Sequence, residues 1–546
     1  MPLRTEAPLH RDIGVGAAAA GALGAGAVVV APVLRPGYVL FLDHVSVPEP
    51  AAPEWSRLTA SAGLRAWPLD GVVWAWSQVL PAWVLQQVIL VLAVLGAGLG
   101  AGLLLRRWGG VAAFAASVLA IVNPYVIERL LLGQGALLLA YASIPWIVIA
   151  SRQGTRFSRV SVATVASLPA ALTPWGAVVA GAAAVSAAII RRRAAREVLI
   201  QAASSTALCL VWLVPTLLGS PGGADPNGAR AFALADETGL GQFGSALLGA
   251  GVWSSAAQAT EGGGPVLVVA AGLLLGLAAF GARALARRSV PKAGVVSAVL
   301  ILVPGAAALL SGPLLSGWAR SQVLPGLSLF RDLHRLLAPS TLALVVLVAI
   351  GLGAVVSRVT QGRAVLMGVL AVVLPVSLAT MLVPTGPGRV HDAYVPVWFP
   401  EDWSAALDTA SPGGRVLTLP WQPLREATWA PQVFLDPSVK ALGARVLGDT
   451  TLTVLRDGTA IRVADGVTAE KDEDGDGRPQ VDTLRRTLTE AALHALPSEL
   501  LASSGVTHVI VWKASPGYVP GLPDDWRRTF SGQHFEMWSA PGVRTR

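Results

Sequence analysis

The chain has 546 residues, of which 53% are hydrophobic and only 14% are charged. This composition excludes an ordinary soluble protein, because a soluble fold cannot bury so much apolar surface, and it indicates a chain that lies mostly among membrane lipids. The net charge of +8 is unevenly placed, since residues 386–546 carry 16 Lys and Arg against 20 Asp and Glu. The basic excess belongs to short loops of the remaining part, where it reports topology and argues against a nucleic-acid partner.

About eleven apolar segments come near the roughly 20 residues that cross the hydrocarbon of a bilayer. They are residues 13–34, 83–105, 109–123, 135–150, 160–171, 174–190, 197–219, 263–281, 293–312, 335–357 and 364–385. The first is longer than the apolar core of a signal peptide, so we predict an uncleaved span. The segments 109–123, 160–171 and 174–190 are short, and we expect re-entrant pieces or helices buried inside the bundle.

The connectors between these segments are alternately basic and not basic. The basic ones are residues 106–107, 152–159, 191–196, 283–292 and 358–363. Lys and Arg are retained on the cytoplasmic side of a membrane. We therefore expect a multi-pass plasma-membrane protein with a cytoplasmic N-terminus and an extracytoplasmic C-terminus. The outward segments are then residues 35–82, 124–134, 220–262, 313–334 and the tail from 386.

Two domains follow from this pattern, an all-α polytopic transmembrane bundle over residues 1–385 and a soluble extracytoplasmic α/β domain over residues 386–546. In the tail, residues 415–419 and 507–512 are short β-branched runs bounded by turn residues, typical of strands. Residues 401–410 and 481–501 show the apolar spacing of helices. The outward loop 220–262 is rich in Gly and Ala and is predicted to be mobile.

Asp43 is the first candidate for chemistry, in the string YVLFLDHV just beyond the first span. A carboxylate close to the outer membrane surface can act as a general base toward a hydroxyl group. Its apolar flanks are expected to raise its pKa by desolvation. The adjacent His44 could pair with a phosphate or with another acid. The alternatives are a turn or capping role for Asp43 and a solvated loop position for His44.

Asp70 is a reserve candidate for the same role. It precedes Trp74, Trp76 and Trp83, and such aromatic residues commonly mark a membrane interface. We predict a surface helix for this stretch, with Asp70 as its N-cap. The capping role is the alternative to a catalytic one.

The string NPYVIERLLLGQ at residues 123–134 places polar groups in an otherwise apolar outward turn. Glu128 and Arg129 are adjacent, so on a helix they point apart and each needs a partner elsewhere. Arg129 suits a lipid phosphate because its planar guanidinium binds phosphate oxygens in pairs. Glu128 and Gln134 would support it. The alternative is a buried ion pair that locks the loops together.

The string FRDLHR at residues 330–335 gathers three potential cations and one acid on the outward side, against the positive-inside trend. On a helix Arg331, His334 and Arg335 would share one face. That face could hold a phosphate or pyrophosphate. The alternative is snorkelling of long side chains toward lipid headgroups.

No complete cofactor or metal motif is present. Residues 472–477 (DEDGDG) match the first half of a calcium loop, but Thr483 stands where the bidentate acid is expected. A solvated acidic turn is therefore favoured over a divalent cation site. The only cysteine is Cys209, so an internal disulfide and a cysteine metal site are excluded. The glycines of residues 96–102 lie within a span, where we expect them to allow close helix packing.

Three strings together carry a family resemblance: GYVLFLDHVSVP after the first span, NPYVIERLLLGQ after the third and FRDLHRLLAP at the tenth. Over most of residues 13–385 the chain resembles the membrane region of actinobacterial α-(1→3)-arabinofuranosyltransferases, in the GT-C superfamily of glycosyltransferases. The tail resembles, less specifically, the small α/β periplasmic lobe that often follows such regions. The additional carbohydrate-binding regions of the long arabinosyltransferases have no counterpart here.

The resemblance implies a cell-envelope transferase that moves a sugar from a polyprenyl-phosphate donor to a glycan or glycolipid acceptor at the outer face of the membrane. It implies Asp43 as the catalytic carboxylate, with Asp70 in reserve. The donor phosphate would be held by Arg129, Arg331, His334 and Arg335. The donor is already activated, so no nucleotide is required. Alternatives from other classes are a flippase for a lipid-linked envelope precursor and a non-catalytic envelope scaffold.

Overall fold

The computed structural model describes residues 8–54, 66–152, 154–218, 225–260, 264–322, 324, 326–360, 363–411, 413–456, 458–464, 479–489 and 495–543. The helices, numbered in chain order, are α1 Pro8–Val30, α2 Leu69–Ser77, α3 Ala82–Leu105, α4 Gly110–Ile121, α5 Pro124–Leu131, α6 Leu138–Ala150, α7 Arg156–Ser167, α8 Pro174–Ile190, α9 Ala195–Leu218, α10 Asn227–Ala231, α11 Gly241–Leu247, α12 Pro265–Arg288, α13 Val290–Ser311, α14 Leu315–Ser321, α15 Ala338–Thr360, α16 Ala364–Leu382, α17 Gly386–Ala393, α18 Glu401–Asp408, α19 Ser438–Leu442, α20 Pro479–Thr489 and α21 Ser498–Ser503. The strands are β1 Tyr38–Val39, β2 Pro396–Val397, β3 Arg415–Leu419, β4 Leu424–Ala427, β5 Ala430–Leu435, β6 Val446–Leu447, β7 Thr451–Arg456, β8 Thr459–Ala464, β9 Val506–Trp512, β10 Arg527–Ser531 and β11 Phe535–Ser539.

Eight helical stretches within the described ranges are long and apolar enough to cross a membrane. They are Asp12–Leu34, Ala82–Trp108, Gly110–Leu131, Ala195–Leu218, Pro265–Arg288, Val290–Ser311, Leu333–Thr360 and Ala364–Leu382. The protein thus has the character of a multi-pass membrane protein, and most of it is helical, as the composition predicts.

The larger number of spans predicted from the sequence is not confirmed. Residues 135–150 and 174–190 form apolar helices that fall short of the spanning length, and residues 160–171 lie mostly in α7, which ends at Ser167. Residues 109–123 belong instead to a longer stretch, because α5 follows α4 and extends the apolar run to Leu131. A hydropathy pattern does not separate a full span from a short helix enclosed by its neighbours.

Helices α1, α3 and α4 pack closely against one another. A Cβ atom at Gly102 would lie 2.1 Å from Ser117 Oγ and 2.9 Å from the Ala113 carbonyl oxygen. Only a glycine permits this approach between α3 and α4. The prediction that the glycines of residues 96–102 serve helix packing is therefore confirmed at this position.

The C-terminal region forms the strand-containing lobe that the sequence predicts. Its main sheet has the order β10-β11-β9-β3-β6, in which β3 runs parallel to both β9 and β6. The runs predicted as strands are β3 and β9, which are neighbours at the centre of this sheet. The helix predicted at 401–410 is α18, whereas the one predicted at 481–501 is interrupted and gives α20 and α21.

The lobe packs directly on the first loop, which joins α1 to α3, and on the first turn of α3. Strand β1 of the loop pairs antiparallel with β2 at the start of the lobe. The rings of Trp83 and Trp398 meet edge to face, with their centroids 6.2 Å apart. The side chain of Lys440 donates to Asp70 Oδ1 at 2.8 Å. The loop and the lobe are therefore one packed unit.

The prediction of a mobile loop at 220–262 is wrong for its described residues, 225–260. Phe232 is 6% exposed, and Ser245 Oγ accepts the backbone N–H groups of Glu237 and Thr238, each at 3.1 Å. Arg456 of β7 also donates to the Leu234 carbonyl oxygen at 2.5 Å. The small residues that suggest mobility in the sequence allow the loop to pack closely.

Candidate functional site

Arg129 lies at the centre of a cluster that joins the 123–134 and 330–335 segments. Its side chain is fully buried. Nη1 and Nη2 donate to the two carboxylate oxygens of Asp332 at 2.6 and 3.2 Å. Nη1 also donates to Gln134 Oε1 at 2.7 Å, and Nε donates to His334 Nδ1 at 3.1 Å. A buried guanidinium is tolerated because it is paired and hydrogen-bonded in this way.

The short helix α5 holds Arg129 in place because its sequence caps both of its ends. The side chain of Asn123 caps the start, and Pro124 occupies the first helical position. At the other end, the N–H groups of Gly133 and Gln134 donate back to carbonyls of the last turn at 2.8 and 2.9 Å. Gly133 has φ +73°, which completes a Schellman motif. This motif turns the Gln134 side chain toward the turn that carries Asp43.

Asp43 lies in a tight turn over residues 41–44, closed by two backbone hydrogen bonds of 2.8 and 3.2 Å between the first and last residues. Gln134 Nε2 donates to Asp43 Oδ2 at 2.8 Å. One amide therefore links the Asp43 carboxylate to the Arg129 cluster. The residue keeps an exposed surface, yet the surrounding protein raises the pKa of its carboxyl group through desolvation, against the opposing effects of the Gln134 hydrogen bond and the Arg335 charge.

The 330–335 segment is not a continuous helix, which the shared face of Arg331, His334 and Arg335 requires. It consists of two 3₁₀ turns with the extended residue Asp332 between them. Arg331 stacks instead on Phe232, with its guanidinium carbon 4.4 Å from the ring centre. The prediction that Arg331, His334 and Arg335 share one face is therefore wrong, because the extended residue between them changes the direction of the side chains.

Asp332 is shared by two arginines. Arg335 Nε donates to Asp332 Oδ2 at 3.1 Å, and the same oxygen accepts from Arg129. Burial alone would raise the pKa of Asp332, but the charges of Arg129 and Arg335 outweigh burial and hold that pKa well below its ordinary value. The Arg335 side chain is 26% exposed, so it is the arginine of this pair that reaches the surface.

A second chain of hydrogen bonds runs from Arg129 toward the 220–262 loop. His334 Nδ1 accepts from Arg129, which assigns the ring N–H to Nε2. Nε2 lies 3.0 Å from Glu128 Oε2. Glu128 is fully buried, and its Oε1 has no donor among the described residues. Its carboxyl group lies within hydrogen-bond distance of Glu237.

Glu237 offers only acceptors to this contact. Its two oxygens accept the backbone N–H groups of Gly251, Ala259 and Thr260 and the Thr260 hydroxyl, at 2.8–2.9 Å. We assign the proton between the two carboxyl groups to Glu128, because the four donors around Glu237 favour its carboxylate form. No local pattern in the sequence singles out Glu237. The only available signal is an acid within a run of small and apolar residues.

His44 and Asp70 lie outside the hydrogen-bonded cluster. His44 is buried against the ring of Tyr394, at 5.1 Å between centroids, and burial, assisted by the charge of Lys440, lowers its pKa to about 4. It is therefore a neutral packed residue and not a solvated one. Asp70 lies in the first turn of α2 while Pro68 is the N-cap, so the predicted capping role is wrong. Asp70 instead forms an ion pair with Lys440.

Across the described part of the chain, no group of three His, Cys, Asp or Glu side chains could hold a metal ion. The calcium-like string at 472–477 lies outside the described residues. What the site offers chemically is a partly exposed carboxylate beside a cationic cluster, with Arg335 at its surface.

No protein-family model matches the sequence, and no curated protein matches it. The resemblance to GT-C glycosyltransferases thus stays a prediction that rests on the three sequence strings.

A proton on Glu128 predicts a small effect for one of two matched substitutions and a large effect for the other. Glu128→Gln keeps a donor toward Glu237 and an acceptor toward His334, so we expect the free energy of unfolding to change by less than about 1 kcal/mol. Glu237→Gln puts an amide NH₂ where several N–H groups donate, and we expect a loss of about 3 kcal/mol. Thermal unfolding of both variants in detergent measures the difference. Equal losses in the two variants would contradict the placement of the proton on Glu128.

Asp332→Asn is expected to leave Arg129 as an unpaired buried charge and to lower the free energy of unfolding by roughly 3–5 kcal/mol at neutral pH. The exposed Asp408→Asn is the control, and its free energy of unfolding should change little.

Because the folded pKa of Asp332 is lowered, the stabilisation by Asp332 is present above the ordinary carboxyl pKa of about 4 and is lost as the pH falls through the folded pKa. Unfolding of the parent and the Asp332 variant should therefore converge only in strong acid; a difference that disappears between pH 7 and 5 would refute this.

Proposed function

We propose that the protein is a cell-envelope glycosyltransferase that moves a sugar from a polyprenyl-phosphate donor to a glycan or glycolipid acceptor at the outer face of the membrane. The observation that carries the proposal is the link from Asp43 through Gln134 to Arg129, made by hydrogen bonds of 2.8 and 2.7 Å. It brings the carboxylate of the first outward loop next to the outward arginines. Transfer from a phosphate donor uses both, a base for the acceptor and a positive charge for the leaving group.

Asp43 is the proposed general base. Its exposed surface gives an acceptor hydroxyl access, and its raised pKa makes it a stronger base than an ordinary aspartate. In the transfer, the acceptor oxygen bonds to the anomeric carbon and the acceptor proton passes to Asp43. The bond between the anomeric carbon and the donor phosphate oxygen breaks, and its electron pair leaves with the polyprenyl phosphate.

Arg335 is the proposed contact for the departing phosphate, because its side chain is 26% exposed while that of Arg129 is fully enclosed. Arg129 then acts through Asp332, which it holds beside Arg335, and His334 acts through its hydrogen bond with Arg129. Arg331 stacks on Phe232, so the proposal leaves it outside the phosphate contact.

Asp43→Asn is expected to lower the rate of sugar transfer by roughly 10²–10⁴-fold while the protein remains folded and inserted. The assay uses the purified protein, a polyprenyl-phosphate sugar and a glycan acceptor.

The transfer rate of the parent protein should fall as the pH is lowered, with a midpoint above the ordinary pKa range of an aspartate, because the pKa of Asp43 is raised. Loss of activity in Asp70→Asn but not in Asp43→Asn would move the role to the reserve acid. Movement of labelled lipid across vesicles without any acceptor would favour a flippase instead.

The proposed orientation predicts which cysteines react from outside the cell. In a Cys209→Ser background, Ser404→Cys in the lobe should be labelled by a membrane-impermeant maleimide on intact cells. Arg363→Cys, in a basic connector, should be labelled only after the membrane is opened. Both positions are exposed. The reverse pattern would place the lobe in the cytoplasm and end the proposal.

A further inference from the structure

The turn that presents Asp43 has an unusual backbone at Leu42. This residue has φ +43°, a left-handed conformation that is costly for a residue with a side chain. Among the described non-glycine residues, only Arg192 shares a positive φ. Such a conformation persists only where neighbouring contacts hold the backbone in place.

Strand β5 of the lobe supplies contacts of this kind. The Leu42 N–H donates to the Val433 carbonyl oxygen at 2.9 Å, and the Leu435 N–H donates to the Leu42 carbonyl oxygen at 3.0 Å. Phe434, which lies between these two strand residues, is fully buried in the lobe. Both main-chain groups of the strained residue are therefore held by one strand that is anchored in the lobe core.

Gly133, at the end of α5, supplies a second close contact with the turn. A Cβ atom at this position would lie 2.5 Å from the Phe41 carbonyl oxygen, 2.7 Å from the His44 nitrogen and 2.8 Å from the Asp43 nitrogen. All three are backbone atoms, so a side chain at position 133 can be accommodated only if the turn moves.

We propose that Gly133 and strand β5 position the Asp43 carboxylate, with the glycine and the Leu42–β5 hydrogen bonds holding the turn from two separate elements. The C-terminal lobe is then part of the site and not an accessory module. The catalytic consequence rests on the proposed function, whereas the position of the turn can be measured without any activity.

A thiol at position 43 reports the position of the turn. The chain has one cysteine, so Asp43→Cys in a Cys209→Ser background carries a single reactive group, and its alkylation rate follows its exposure. Gly133→Ala is compared with Gly239→Ala. Both glycines have φ +73°, but a Cβ at Gly239 has nothing within 4 Å. Both variants carry the same backbone penalty, and only the first displaces the turn. We expect several-fold faster alkylation in Gly133→Ala and the parent rate in Gly239→Ala.

A second pair of variants tests the lobe contact by itself. Leu435→Pro removes the N–H that donates to Leu42, whereas Leu435→Ala removes a similar amount of side chain and keeps the N–H. Strand β5 already contains one proline, Pro431. Alkylation at position 43 should become several-fold faster in Leu435→Pro and stay at the parent rate in Leu435→Ala. Parent-like alkylation in both Gly133→Ala and Leu435→Pro would overturn the positioning role.

Sugar transfer is then measured with Asp43 intact. A displacement of the base by less than an ångström is expected to lower kcat roughly tenfold to a hundredfold in Gly133→Ala, with the KM for the donor little changed and Gly239→Ala behaving as the parent. If Gly133→Ala alters the alkylation rate but the parent protein transfers no sugar, the positioning role stands and the proposed function is refuted. An active parent whose kcat is unaffected by Gly133→Ala would overturn the positioning role.

Discussion

The arrangement of the candidate site depends on the burial of one guanidinium group. Removing an ion from water costs several kcal/mol unless a partner and further hydrogen bonds compensate. The partners of Arg129 are Asp332 and His334, which lie 203 and 205 residues away in the chain. The segment that carries both residues cannot separate from α5 without leaving Arg129 and Asp332 unpaired. The placement of this distant segment beside α5 is therefore a consequence of the pairing.

The same short helix extends this constraint to the turn that carries Asp43. The Schellman motif at its end brings Gln134 to the carboxylate of Asp43 and Gly133 to the backbone of the turn. The lobe reaches the same turn from the far end of the chain, through the Leu42–β5 hydrogen bonds. The position of Asp43 is thus set jointly by the membrane bundle and by the lobe, which explains why both pack so closely on one loop.

The sequence predicts the features that depend on interactions between residues close together in the chain. Apolar length and composition predict the membrane character, and short β-branched runs bounded by turn residues predict the central strands of the lobe. The adjacency of Glu128 and Arg129 predicts that they do not pair with each other. Arg129 pairs with Asp332 instead, and the two residues contact opposite nitrogens of His334. The side-chain direction of Arg331 was not predictable in this way, because it depends on one extended residue that interrupts an otherwise helical spacing. Glu237 and the Leu42–β5 contact depend on residues far apart in the chain, and no local pattern carries that information.

Although Arg129, Arg335 and Asp332 are paired with one another, the Arg335 side chain can still turn to a phosphate. Asp332 Oδ2 accepts from both Arg129 and Arg335, so an approaching phosphate can take Arg335 while Asp332 remains paired with Arg129. The charges of Arg129 and Arg335 hold the pKa of Asp332 low, and the two arginines with this one acid carry a net positive charge. In the proposed reaction the buried arginine therefore need not touch the donor. The pairing of Arg129 with Asp332 would instead allow Arg335, at the surface, to contact the donor phosphate.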